Sequence, residues 1–217
     1  VIMDMLGIPY SAFPELKEAS DELRAFIGGA RADGDRYETA RRGAARLAGF
    51  FRTLIDQRRA APGDDFVSRM IAARDEEGRL SEDELVATCM LVLFASHETT
   101  THLLGNAVHA LLDHPAQLQR LRDEPALITS AVEEFLRYDG PSNALARVVK
   151  VAHTIDGKTL QPGDRVFGFA NAANRDPRAF ADPQALDLGR TPNRHLTFGF
   201  GTHFCMGAPL ARLEGMR

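Results

Sequence analysis

Ser81-x-x-Glu84 is a capping box, in which a serine hydroxyl and a glutamate carboxylate each accept from the other residue's backbone amide at a helix start. From there the chain runs without glycine or proline to Gly105 and meets its stop at Asp113-His114-Pro115. A helix over this stretch has about thirty residues and spans roughly 45 Å at 1.5 Å per residue, enough to cross an entire domain. Its apolar run, Leu85 to Ala95, turns polar at Ser96-His97-Glu98-Thr99-Thr100-Thr101-His102 and reverts at Leu103-Leu104. Buried polar groups cost about 1 to 3 kcal/mol each unless paired, so this interval needs a reason. It is not a two-histidine zinc face: His97 and His102 are five residues apart, about 140° around a helix. As a bland alternative, the threonines form a wet helix face.

The flanking segments place this rod in a mainly helical chain. Leu47, Phe50, Phe51, Leu54 and Ile55 recur at helical spacing between Tyr37 and Arg59, with arginines on the opposite face. Pro62-Gly63 breaks that helix, and Phe66 to Ala73 forms a short successor ending near Gly78. Pro125 opens a further helix whose stripe of Leu127, Ile128, Ala131, Val132, Phe135 and Leu136 stops at Asp139-Gly140-Pro141. Beyond it, Arg147 to Ile155, the turn Asp156-Gly157, Thr159-Leu160, Pro162-Gly163 and Arg165 to Ala170 read as a small antiparallel sheet. Asn171 to Thr197 is rich in loops.

Near the end, Phe198 to Gly207 reads FGFGTHFCMG. Glycines at 199 and 201 let the backbone take positive φ and lie close to a flat group without steric cost. Pro209, Leu210, Ala211 and Leu213 signal a helix, so Cys205 lies at or near a helix N-terminus, where partial positive charge favours thiolate over thiol. A lone cysteine is ordinarily a small buried hydrophobe, and that reading suits Cys89 in its apolar run. A dinucleotide loop fails because Phe204 stands where its third glycine belongs. Zinc lacks ligands, since His203 and Cys205 have no second cysteine pair beside them.

The ten residues resemble the haem-binding loop of the cytochrome P-450 family, Phe-Gly-x-Gly-x-His/Arg-x-Cys-x-Gly, at every specified position. The resemblance extends over nearly the whole chain, from the Val1-Ile2-x-x-x-Leu6-Gly7-Ile8-Pro9 opening to Leu210-Ala211-Arg212-Leu213-Glu214, and is strongest to soluble bacterial members. It implies a fold that is mainly α with a small antiparallel β-sheet, the carboxyl-terminal half of the cytochrome P-450 fold. Within one partial domain, 1–217, it divides the chain into a helical lid-like region (1–80), the long central helix and a Glu-x-x-Arg helix (81–141), the small sheet (142–170), and the meander with the haem-binding loop (171–217). The implied cofactor is haem b (heme b), its iron axially ligated by Cys205, with Phe198, Gly199 and Gly207 shaping the loop and Arg147 and His203 facing the propionates. Thiolate ligation favours oxygen activation.

Ala95-Ser96-His97-Glu98-Thr99-Thr100 resembles the family's oxygen-activation motif, which makes Glu98 the acid and Thr99 the alcohol of a proton relay; Ser96 departs from the usual glycine. Glu134-x-x-Arg137 resembles the pair that the family locks to a meander arginine, here Arg190, for folding and haem retention; alone, the pair is an ordinary surface ion pair. The resemblance implies a monooxygenase that inserts one oxygen atom from O2 into a small-molecule organic substrate by hydroxylation or epoxidation. Its electrons come from a ferredoxin-type donor with its reductase. Rival readings are a peroxide-using or rearranging haem-thiolate enzyme, a non-catalytic haem-binding protein, and a helical interaction module without haem. Because the family is roughly twice as long, these 217 residues are expected to bind haem poorly and to be inactive alone.

Composition agrees with this class. A net charge of −4 gives no bulk attraction to nucleic acid or anionic membrane. The eleven-residue run Leu85 to Ala95 falls short of the roughly 20 that a spanning helix needs. Two cysteines form no disulfide scaffold and fit a reducing, cytoplasmic location.

Overall fold

A computed structural model describes residues 1–27, 35–77 and 80–217. The architecture is mainly helical, with two small antiparallel ribbons. Contacts gather into two compact units, Val1–His97 and Glu98–Arg217. Among the described residues no helix is long and apolar enough to cross a membrane.

The first unit holds α1 (Ile2–Leu6), α2 (Phe13–Ile27), α3 (Arg36–Ala60), α4 (Phe66–Glu77) and the first part of α5 (Glu82–Asp113). Leu6, Leu16, Leu47, Phe51, Ile55, Val67, Leu85 and Cys89 form its core. Of the apolar stripe expected along residues 37–59, Leu47, Phe51, Leu54 and Ile55 are buried in α3, and Phe50 packs half-buried against the same core. Gly43 lets α2 and α3 approach closely, since a Cβ there would stand 2.6 Å from the Ala19 carbonyl oxygen. The capping box is formed: Ser81 N–H donates to Glu84 Oε2 at 2.7 Å and Glu84 N–H to Ser81 Oγ at 3.3 Å. α4 extends beyond the expected Ala73 to Glu77, while Gly78, the expected stop, lies outside the described residues.

The second unit begins within α5 and continues through α6 (Pro115–Asp123) and α7 (Ile128–Asp139). Leu103, Ala107, Ala131, Val132, Leu136, Leu186 and Leu188 are its core. Sequence reading did not anticipate α6, a helix with no buried residue. It left Pro115 as a stop, whereas Pro115 begins the helix, where its missing amide is harmless. Pro125–Leu127 is a 3-10 turn leading into α7 rather than part of the helix itself.

The expected single sheet is corrected to two ribbons. β1 (Ala144–Val148) pairs with β4 (Arg165–Phe169), and β2 (His153–Ile155) with β3 (Lys158–Leu160). Arg147 to Ile155 is not one strand, because the chain bends at Lys150–Val151 after Val149. Mutual bonds from Val149 N–H to Asp164 O and from Gly163 N–H to Val149 O, each 2.9 Å, carry the first ladder only to that bend. Asp156 and Gly157, at φ 50° and 76°, make the tight β2–β3 turn. The meander contains one short helix, α8 (Ala170–Ala173), and leads to α9 (Ala208–Gly215).

Candidate functional site

The cysteine loop lies between the meander and α9. Gly199 and Gly201 both have φ 76°. Between them and the helix, Gly201–His203 forms a 3-10 turn, and the Cys205 amide donates to the Phe198 carbonyl at 2.9 Å. That bond closes the loop and fixes the cysteine relative to its aromatic start. The Cys205 carbonyl then accepts from Ala208 N–H at 3.3 Å, coupling the residue to the first turn of α9, whose N-cap is Gly207.

One side of this loop is open and apolar. A Cβ at Gly201 would meet nothing within 4 Å, and one at Gly199 only the His203 carbonyl oxygen, at 3.8 Å. Phe200 is 90% exposed and Met206 76%, unusual for large apolar side chains. Cys205 is partly exposed, whereas Cys89 is wholly buried and its thiol is pushed up to about 11 by that burial. Among the described residues no three His, Cys, Asp or Glu side chains gather to hold a metal ion. The loop thus offers one soft sulfur beside exposed apolar side chains, which suits a metal that brings its other ligands in a planar ring.

The structure gathers Phe198, Gly199, His203, Cys205 and Gly207 in this one loop. His203 is exposed. Arg147 stands in β1 opposite Val166, exposed, with Nη1 donating to the Ala146 carbonyl at 2.8 Å. Glu98 and Thr99 lie side by side in α5. Ser96 spends its hydroxyl on the helix, donating to the Val92 carbonyl at 2.6 Å.

Glu134, Arg137 and Arg190 form a buried centre. Arg137 Nε and Nη2 donate to the two Glu134 carboxylate oxygens at 2.8 Å each, and Arg190 Nε reaches the same oxygens at 3.0 and 3.1 Å. The remaining Arg137 donors bind the carbonyls of Asn174, Pro183 and Ala185, each at 2.9 Å. Arg190 also binds the carbonyls of Ala181, Asp182 and Ala185. Two guanidinium groups therefore hold the meander by its backbone, while one carboxylate neutralises part of their charge.

Sequence reasoning missed a second cluster. Glu133 accepts from His195 Nε2 at 3.0 Å and from Arg212 Nε and Nη2 at 2.5 and 2.9 Å. The Glu-Glu doublet at 133–134 is its only trace in the sequence. Its partners are 62 and 79 residues away.

Residues 33–216 match the family described as Cytochrome P450. The chain belongs to the cytochrome P450 family. It is 40% identical over 214 residues to the biotin biosynthesis cytochrome P450 of Bacillus subtilis, covering 99% of this chain and 54% of that protein. It is 42% identical over 217 residues to the vitamin D(3) 25-hydroxylase of Pseudonocardia autotrophica, covering 99% and 52%. Among solved structures, CYP109E1 of Bacillus megaterium in complex with testosterone superposes with a TM-score of 0.92 at 36% identity, over 99% of this chain and 56% of that one. P450BioI in complex with an acyl carrier protein ligated to hexadec-9Z-enoic acid gives 0.92 at 40% identity, over 99% and 55%. The chain spans about half the length of the cytochromes P450 it matches. The family's cofactor is a haem held by thiolate, a group that the single-sulfur loop with its open apolar side fits.

Proposed function

We propose that the complete gene product containing this chain is a haem-thiolate monooxygenase that inserts one oxygen atom from O2 into a small, apolar organic molecule. The observation that carries this reading is the closed loop, in which the Cys205 amide is anchored to the Phe198 carbonyl and two left-handed glycines leave one side open. Cys205 Sγ would hold the haem iron. Phe198, Gly199 and Gly207 shape the loop around it, and Arg147 and His203 offer positive charge and N–H donors to the haem carboxylates. When bound, the haem supplies the redox chemistry of dioxygen that amino-acid side chains lack.

The chain's own residues manage the protons. Thr99 Oγ1 donates a proton toward the reacting centre, and Glu98, the preceding residue of α5, passes protons inward from solvent, a relay of general-acid type. Electrons arrive singly from a ferredoxin-type donor with its reductase. Glu134, Arg137 and Arg190 keep the meander folded and retain the cofactor. An apolar substrate is supported by relatives named for vitamin D(3) hydroxylation and solved with testosterone. The 217 residues alone bind haem poorly and do not turn over, because they span about half of a family member.

The test is isotopic. With ferredoxin, reductase and an apolar substrate under 18O2, the complete gene product yields product carrying one labelled oxygen atom. Unlabelled oxygenated product, or product formed only with added peroxide, contradicts a monooxygenase. Stoichiometric haem uptake with normal turnover by the 217-residue chain contradicts the statement about the fragment.

A further inference from the structure

Glu133 takes no part in the arginine centre built on its neighbour Glu134. Its carboxylate instead joins three segments: α7, on which it lies, the meander at His195, and α9 at Arg212. His195 has only 3% of its side chain exposed. Thr197 N–H donates to His195 Nδ1 at 3.3 Å, so Nδ1 is the acceptor and Nε2 carries the proton given to Glu133. The imidazole is therefore satisfied at both nitrogens in one tautomer. Arg212, forked onto the same carboxylate, sets its guanidinium carbon 4.7 Å from the centroid of the Phe198 ring. The His195 ring lies 5.8 Å from that centroid. Both groups held by Glu133 thus bear on one aromatic ring, and the backbone carbonyl of that same Phe198 receives the Cys205 amide.

We propose that Glu133 is a positioning residue for Cys205: by holding His195 and Arg212 against Phe198, it fixes the backbone carbonyl that anchors the cysteine. What Cys205 is positioned for rests on the haem-thiolate reading, but that it is positioned does not. A planar, bidentate guanidinium contact is suited to the task, since it sets direction as well as distance. Loss of the carboxylate leaves a buried imidazole N–H without an acceptor and releases the guanidinium from its fork. The loop then loses both of the contacts that Glu133 holds against Phe198.

Hydrogen exchange of the 217-residue protein reads this directly. In His195→Leu and Glu133→Leu, exchange of the peptide 196–206 rises at least ten-fold, while that of α3 in the first unit stays within two-fold of wild type. In His195→Gln, whose amide can donate to Glu133 and accept from Thr197, exchange of 196–206 stays within two-fold. Unchanged exchange in both leucine variants, an equal rise in α3, or His195→Gln behaving like His195→Leu overturns the proposal. In the complete gene product, the reduced carbon monoxide spectrum provides a second signature. His195→Leu moves at least half of the long-wavelength Soret intensity to the shorter-wavelength band of weakened thiolate ligation, and His195→Gln retains it. If wild type lacks the long-wavelength band, the haem-thiolate reading fails, and the exchange pattern alone decides the positioning claim.

Discussion

Arg137 and Glu134 face each other in a two-point contact, Nε and Nη2 each 2.8 Å from one carboxylate oxygen, and neither side chain reaches solvent. An i, i+3 pair on a helix surface stabilises by only a few tenths of a kcal/mol. Here the pair is the inner end of a network that ties α7 to the meander through three bonds from Arg137, to the carbonyls of Asn174, Pro183 and Ala185. Breaking a buried pair by removing one partner costs about 3–5 kcal/mol, because the other charge stays buried. Glu134→Ala should therefore lower unfolding free energy by about that amount, read from urea denaturation followed by circular dichroism. A loss below about 1 kcal/mol would place the pair in the exposed class.

Glu133 makes acid stability testable. Burial opposes its ionisation, but the hydrogen bonds from His195 and Arg212 outweigh it and hold the carboxyl at about 2, against an ordinary 4.5. A carboxyl whose value is lowered on folding contributes stability that is fully present above the unfolded value and is lost as pH falls toward the folded one. The contribution should thus disappear between about pH 4.5 and pH 2. Urea denaturation at a series of pH values should show wild type losing stability more steeply over that range than Glu133→Gln. Parallel curves would remove Glu133 as the cause.

The two cysteines should differ in reactivity. Cys89 is wholly buried with its thiol pushed up to about 11, while Cys205 is partly exposed. Iodoacetamide at pH 8 should label the folded chain once, at Cys205, and the urea-unfolded chain twice, as counted by mass spectrometry. Equal labelling of Cys89 in the folded chain would contradict the packing of the first unit.

Gly201 has φ 76° and open space where a Cβ would stand. Alanine there meets no neighbour, so its cost is backbone strain alone, about 1–2 kcal/mol for a left-handed residue. Gly201→Ala should lose about that much stability while leaving the α-helical circular dichroism unchanged. A neutral or stabilising result would mean that the loop backbone does not need the left-handed conformation.

Local signals were the legible ones. The capping box at Ser81 and Glu84 marks the start of α5, and Asp156-Gly157 marks the β2–β3 turn, because each acts within four residues. The loop at 198–207 was legible for the same reason, with the whole motif contiguous. The α6 helix escaped because only Leu118 and Leu121 of its nine residues form an apolar pair, and neither is fully buried. Pairing of β1 with β4 escaped because the bend at Lys150–Val151 leaves no strong turn residue between Arg147 and Ile155. Arg190 could be assigned to Glu134 through the family resemblance alone, since 56 residues separate them. His195 and Arg212 had no such guide, and their shared carboxylate emerges only when α7, the meander and α9 are seen together.

The proposed proton relay carries its own kinetic signature. In the complete gene product, Thr99→Ala and Glu98→Gln should each reduce product formation by about 10²-fold or more, the lower range for loss of a general acid, while leaving the carbon monoxide spectrum intact. A drop of less than about three-fold in both would dissociate these residues from the chemistry.

The central claim is that Cys205 binds haem iron as a thiolate. Its most direct measurement is the difference spectrum of the complete gene product, reduced and exposed to carbon monoxide, beside that of Cys205→Ser. Wild type should show a long-wavelength Soret band and the serine variant none. The same band in both proteins, or in neither, would contradict it.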